Sequence, residues 1–442
     1  MAVDVVTGVS GARKRDLFLF FEAQGSFFLY LVLLRVALEI SYIFFIIDVF
    51  SYRGFDYNFT VVKYVESWAI MITVATLASS KMKRPSDLII CLILIVYLVP
   101  LLIYYAYSGQ SRYHLYLVIL CYLITDFFRR GRLFKIKTVV QGPVLARYML
   151  ILGVIGVTAW MVFSGGFRYF NLDISKVYDY RSAVGETINV GLMAYLNIWA
   201  TKVFGPALLT VSIWKRRYVL AFLIVLLHVV WFGVSSHKSV LFYPLLVIFV
   251  CCWFRRTSAL SPLPLFMAIV VMAAMAVFLF SEDILAASLF IRRVFFVPSQ
   301  LTFAYYDFFS NNPHVYWSNS VLSSFGKYPY SENPALVIGN YMGTDSNANN
   351  SYLSTGYMHA GVLGVMVYGA IAGAVFKILD SLATGALPVW VATSVVLVPA
   401  WGLLTSADLT TALLTHGFGV ALFMLFLIRI KHSTPPLKKA IL

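Results

Sequence analysis

The sequence predicts an all-α, polytopic membrane bundle, and three observations carry the prediction. Of 442 residues, 61% are hydrophobic, 17% aromatic and only 12% charged, whereas about a quarter of an ordinary soluble domain is charged. The apolar residues fall into about twelve runs near the length of about 20 residues that crosses a bilayer core. Lys and Arg gather in alternate connections between those runs, the pattern of loops retained in the cytoplasm. The net charge of +15 therefore belongs to topology, and no nucleic-acid partner is implied.

Taken in order, the first run, near 26–50, follows Arg13, Lys14 and Arg15. It lacks the short apolar core and small-residue cleavage site of a signal peptide, so it is expected to stay in the mature chain. Runs near 63–80 and 87–107 flank Lys81, Lys83 and Arg84. A short run near 113–128 leads into the largest basic connection, from Arg129 to Arg147, before a run near 145–164. Runs near 188–213 and 217–234 flank Lys215, Arg216 and Arg217, and those near 239–254 and 263–281 flank Arg255 and Arg256. The last three, near 358–378, 386–405 and 410–430, enclose Lys377 and end on Arg429 and Lys431. With these connections on one side, both termini are predicted to be cytoplasmic. Residues 432–442, with Pro435 and Pro436, read as a short tail.

Two of the opposite connections are long, 165–187 and 282–357, and the second is the one long stretch written in a soluble-protein alphabet. It carries Arg292 and Arg293, whose planar forks suit a pyrophosphate; the other reading makes them interfacial anchors on lipid phosphates. From Leu301 the run Leu-Thr-Phe-Ala-Tyr-Tyr-Asp-Phe-Phe, with Tyr305 at its centre, predicts an amphipathic or re-entrant helix at the interface. The 165–187 loop sets Arg168, Tyr178 and Arg181 among aromatics that suit sugar rings or an interfacial belt. Arg181 is the preferred second phosphate ligand, with Arg168 behind it. In the tight turn Ser235-Ser236-His237-Lys238-Ser239, Lys238 either reaches a phosphate or caps the membrane edge.

The densest polar signal is Asn349-Asn350-Ser351-Tyr352, followed by Tyr357 to Gly364 with His359, Gly361 and Gly364. Polar groups before a glycine-containing membrane helix can face an aqueous cavity, and glycines let a ligand or a backbone approach. His359 is the candidate base, or a structural histidine. Cys91, Cys121, Cys251 and Cys252 lie in or at the ends of apolar runs without CxxC spacing, so neither a disulfide framework nor a metal site is indicated.

In layout the chain resembles the bacterial O-antigen polymerases, or oligosaccharide repeat-unit polymerases, which are related to the O-antigen ligases. The resemblance rests on Asn350-Ser351, nine residues, then Gly361-Val362-Leu363-Gly364, and on Asn350-Ser351-Tyr352 and Ser236-His237-Lys238-Ser239. It implies a metal-independent glycosyltransferase of the GT-C type in the bacterial inner membrane, needing no cofactor. Its substrates would be oligosaccharides on undecaprenyl pyrophosphate, joined on the periplasmic face, with a flippase and a chain-length regulator as partners. It also implies a site in which Asn350, Tyr352 and His359 act in catalysis. In that site Arg181, Arg292, Arg293, Lys238 and Arg168 bind pyrophosphate, and Tyr178, Tyr305, Ser351, Gly361 and Gly364 line the substrate. Three rivals remain open: a transporter or flippase of lipid-linked oligosaccharide, an O-antigen ligase, and a non-enzymatic scaffold. Arg35 and Glu39, one turn apart in the first run, are expected to form a structural pair.

Overall fold

Each of the twelve apolar runs forms a helix in the computed structural model, which describes residues 24–173, 187–320, 323–324 and 326–430. Among these residues the regular structure is helical, apart from a single bridging pair, Lys81 and Ala259. Nine helices are long and apolar enough to cross a membrane. They are α1 (Gln24–Arg53), α3 (Pro85–Tyr107), α5 (Gly142–Phe163), α6 (Leu192–Trp214), α7 (Tyr218–Ser235), α9 (Pro262–Ser281), α10 (Ile284–Asn311), α12 (Tyr352–Ala383) and α14 (Leu409–Ile428). Shorter or more polar helices complete the bundle: α2 (Val61–Leu77), α4 (Arg112–Arg129), α8 (Lys238–Phe254), α11 (Pro334–Tyr341) and α13 (Val389–Thr405).

The central element is α3, whose membrane-length window is entirely buried. Around it α1, α2, α4, α9, α10 and α12 form one group; α5 to α8, α13 and α14 form another, joined to the first where α13 packs on α3 and α12. Buried polar groups pin these helices at specific heights. Arg35, fully buried, pairs with Glu39 at 2.8 Å, donates to the Ser67 carbonyl of α2 at 3.0 Å and lies 4.1 Å from the Trp68 ring centre, which is the structural role its spacing predicted. At the other end of α4, Arg129 bridges Asp87 and Asp126, both at 2.7 Å. Ser86 beside it donates to Asp380 of α12 at 2.7 Å. Removing one partner of such a buried network leaves an uncompensated charge, so it fixes register even where its net stabilisation is small.

Two parts of the fold differ from expectation. The 282–357 connection, expected to be partly helical with a helix from Leu301, forms one 28-residue helix, α10, already from Ile284. Although long enough to cross, α10 has both of its ends against one end of the bundle, while its middle meets Tyr97 of α3 and Leu353 of α12. Arg292 lies over Phe50 near the end of α1, Gln300 donates to the Arg53 carbonyl at 2.6 Å, and Asp307 and Ser310 meet His114 at the start of α4. It therefore lies across that end rather than through the bundle. The second difference is in α12, expected as one span beginning near 358. The helical path breaks at Ala360 and Gly361 (φ +57°), giving a short arm, 352–359, folded back along a long arm, 362–383. A Cβ on Gly364 would stand 2.0 Å from the Gly356 carbonyl oxygen, so the two arms touch through glycine backbone. The arm begins deep in the bundle, with the Tyr352 hydroxyl 3.3 Å from Thr125 of α4. The irregular backbone leading into it is tolerated at this depth because Ala348, Asn350 and Ser351 are buried in protein.

Candidate functional site

The first turns of α10 are π-helical, from Ser288 to Phe296, and the widened turn turns two adjacent arginines to the outside. Ile291, Phe295 and Phe296 are buried, Arg292 is half-buried and Arg293 is exposed. The Arg292 guanidinium lies 4.2 Å from the Phe50 ring centre, and its Nε donates to Ser288 Oγ at 3.3 Å. Stacking on one ring leaves the other edge of the fork for a ligand. The charges of Arg293 and Arg53 both act on it, so three arginines share one patch at the end of α1. Arg53 was not singled out from sequence; the only signal was a lone basic residue in the short connection after the first apolar run.

A lateral groove of about 420 Å³ runs between α1 and α9. Its walls are Ile40, Phe44, Met275, Phe278 and Leu279, and the carboxylates Asp48 and Glu282 close its outer end. Glu282 caps α9 in the left-handed conformation, φ +55°, which turns the chain from α9 into α10.

The polar-then-glycine motif has a different role from the one expected. Asn350, 1% exposed, donates to Thr302 Oγ1 at 3.1 Å and to the Pro298 carbonyl at 3.3 Å, and Thr302 meets the Tyr97 hydroxyl at 2.5 Å. Ser351 caps the short arm by accepting from the Leu353 amide, and the Tyr305 hydroxyl donates to the Ala348 carbonyl at 3.0 Å. Tyr352 is fully buried. Gly361 makes the reversal and Gly364 the close arm contact. Asn350 and Tyr352, expected in catalysis, and Tyr305, Ser351, Gly361 and Gly364, expected to line the substrate, are all buried in these contacts. These residues tie the re-entrant arm to α3 and α10 and position the site without facing it.

His359 is also enclosed. Its Nδ1 accepts the Trp317 amide at 3.1 Å, its Nε2 stands 3.3 Å from Asp408 Oδ1, and the Trp317 ring stacks on it at 4.9 Å. With Nδ1 accepting, the proton sits on Nε2 and is donated to Asp408, so no ring lone pair is left to receive a substrate proton. Asp408 also accepts from the Tyr368 hydroxyl at 2.9 Å and from Thr410 Oγ1 at 2.5 Å. Burial works to raise the Asp408 carboxyl, but the hydrogen bonds from His359 and Thr410 outweigh it and hold it down at about 2.

A further cluster at the far end of α10 was invisible in sequence. His114 Nδ1 stands 3.1 Å from Asp307 Oδ1 and its Nε2 3.2 Å from Ser310 Oγ, a Ser-His-Asp order of contacts. The Ser310 hydroxyl, however, donates to the Tyr306 carbonyl at 2.7 Å, which takes the proton a base would have to remove. Arg168 is exposed on the short turn after α5, and Lys238 opens α8. Both belong to the second helix group, apart from the arginine patch of the first. Arg181 and Tyr178 lie outside the described residues. Among the described residues no group of three His, Cys, Asp or Glu is placed to hold a metal ion. No family model, curated protein or solved structure matches the chain.

Proposed function

We propose that this protein joins oligosaccharide units carried on a polyprenyl pyrophosphate, acting as a polysaccharide polymerase at the outer end of a GT-C-like membrane bundle. What supports this reading is that Arg53, Arg292 and Arg293 gather near the end of α1, the helix that with α9 walls the apolar groove. A polyprenyl chain fits the apolar slot, and its pyrophosphate meets the arginines. In the reaction an acceptor sugar hydroxyl attacks the donor's anomeric carbon, and the bond from that carbon to the pyrophosphate oxygen breaks. The arginines stabilise the charge gathering on the leaving pyrophosphate. Asp48 or Glu282, at the mouth of the groove, takes the hydroxyl proton. In this proposal twelve helices cross a bacterial inner membrane, α10 lies on the periplasmic side, and both termini are cytoplasmic.

One feature favours a second reading, transport of the lipid-linked oligosaccharide. The broken α12 and Lys202, set in a π-helical turn of α6, are features that transporters use near the midplane. A single reconstitution separates the two. Purified chain in nanodiscs, supplied with lipid-linked repeat units, should yield a polymer ladder. Arg292→Ala should slow it about 10²-fold or more, Arg53→Ala should also slow it, and Arg292→Lys should restore little, because a point charge lacks the fork. A wild-type protein that forms no polymer yet moves the lipid between leaflets of proteoliposomes would establish transport instead.

A further inference from the structure

At the opposite, basic end of the bundle a second cavity opens sideways, among α6, α7 and α8, and encloses about 790 Å³. Its walls are apolar, formed by Leu209, Ile213, Phe222, Val225, Ile248 and Cys252. Val225 lies two turns inside Tyr218, so the slot reaches roughly 10 Å into the hydrocarbon. Phe222 and Leu223 beside it are more than half exposed, which marks this flank as facing acyl chains. Arg255 and Arg256 stand at its rim. Both are exposed at the end of α8, as are Lys215, Arg216 and Arg217 in the turn joining α6 to α7. A neutral lipid would satisfy the walls alone; the two arginines at the rim, with three more cations in the adjoining turn, have no use for it.

We infer that this cavity is a binding site for one anionic phospholipid of the leaflet at the basic end, with an acyl chain in the slot and its headgroup phosphate on Arg255 and Arg256. Arginine suits this task because its fork grips phosphate through paired hydrogen bonds, and each basic side chain near an anionic surface adds about a fivefold preference. The site is independent of the proposed polymerase chemistry, which lies at the other end of the bundle.

The test uses the full chain, delipidated and titrated with dioleoyl phosphatidylglycerol or dioleoyl phosphatidylcholine, with bound lipid counted by native mass spectrometry. The expected result is one phosphatidylglycerol held about tenfold more tightly than phosphatidylcholine. The double variant Arg255→Gln, Arg256→Gln should bring the two lipids within about twofold of each other. A filled slot, Val225→Trp, should lose the tight lipid while keeping both arginines. Equal binding of the two lipids by the wild type, or undiminished phosphatidylglycerol binding by the Val225→Trp chain, would overturn the inference. A readout that needs no variant is alkylation of Cys252, the one exposed cysteine beside three buried ones. Phosphatidylglycerol nanodiscs should protect it from N-ethylmaleimide relative to phosphatidylcholine nanodiscs, and equal rates would count against the site.

Discussion

Asp408 gathers hydrogen bonds from His359, Tyr368 and Thr410, and the grouping holds the turn at Trp317, itself strained at φ +57°, over the reversal in α12. Its carboxyl is brought down from 3.8 to about 2. A depressed carboxyl stabilises the fold above its unfolded value and loses that contribution as pH falls through the folded one. The contribution should be constant above about pH 4 and fade as the pH falls from there toward 2. Thermal unfolding in detergent should therefore show a gap between wild type and Asp408→Asn that closes over that window; a gap of constant size would dissociate it from this carboxylate. His359 admits a separate test. Gln can accept through its oxygen and donate through its nitrogen, so His359→Gln should keep polymer formation within about tenfold, whereas loss of a general base costs about 10² to 10⁴. A loss of that larger size, with normal insertion, would restore the imidazole as a base.

The reversal in α12 is decided by two glycines. Gly361 occupies φ +57°, ψ −137°, a region essentially closed to other residues, and a Cβ at Gly364 would overlap the Gly356 carbonyl. Gly361→Ala and Gly364→Ala should each destabilise the chain by about 1 to 3 kcal/mol, seen as a lower melting temperature and earlier proteolysis within the 342–361 segment. By contrast Gly385, at φ +69° with open space around it, should tolerate Ala at only the backbone cost. The element was half legible in sequence. Polar residues before glycines announced an unusual entry into the membrane, but hydropathy averages over a window, and a two-residue break inside an apolar run leaves the average unchanged. The same averaging hid α10. Its second half was legible as a helix from Leu301, but the polar positions Arg292, Arg293 and Gln300 hid that one continuous helix begins at Ile284 and uses its polar side chains against the ends of α1 and α4.

At the scale of the whole molecule, composition and run length were sufficient for the helices, because a chain with no water beside it must satisfy its backbone within each segment. Which residues face a substrate was not legible, because side chains of the same type serve as pins and as ligands. Asn350 is buried against Pro298 and Thr302, while Arg53, unremarkable in sequence, joins the exposed patch. The arrangement of α10 bears on the whole topology, since it sets whether the chain changes sides between α9 and α12. Glu282 and Asn312 bracket α10, and both are exposed. If α10 lies across one end, Glu282→Cys and Asn312→Cys should both react with a membrane-impermeant maleimide from the same side of intact cells. Lys83→Cys, exposed in the basic connection before α3, should react only after lysis. Cys252, the native exposed thiol, lies at that basic end and should stay silent in intact cells. Labelling of Glu282→Cys and Asn312→Cys from opposite sides would make α10 a true span. It would also place Asp307 and Ser310 on the side away from the arginine patch.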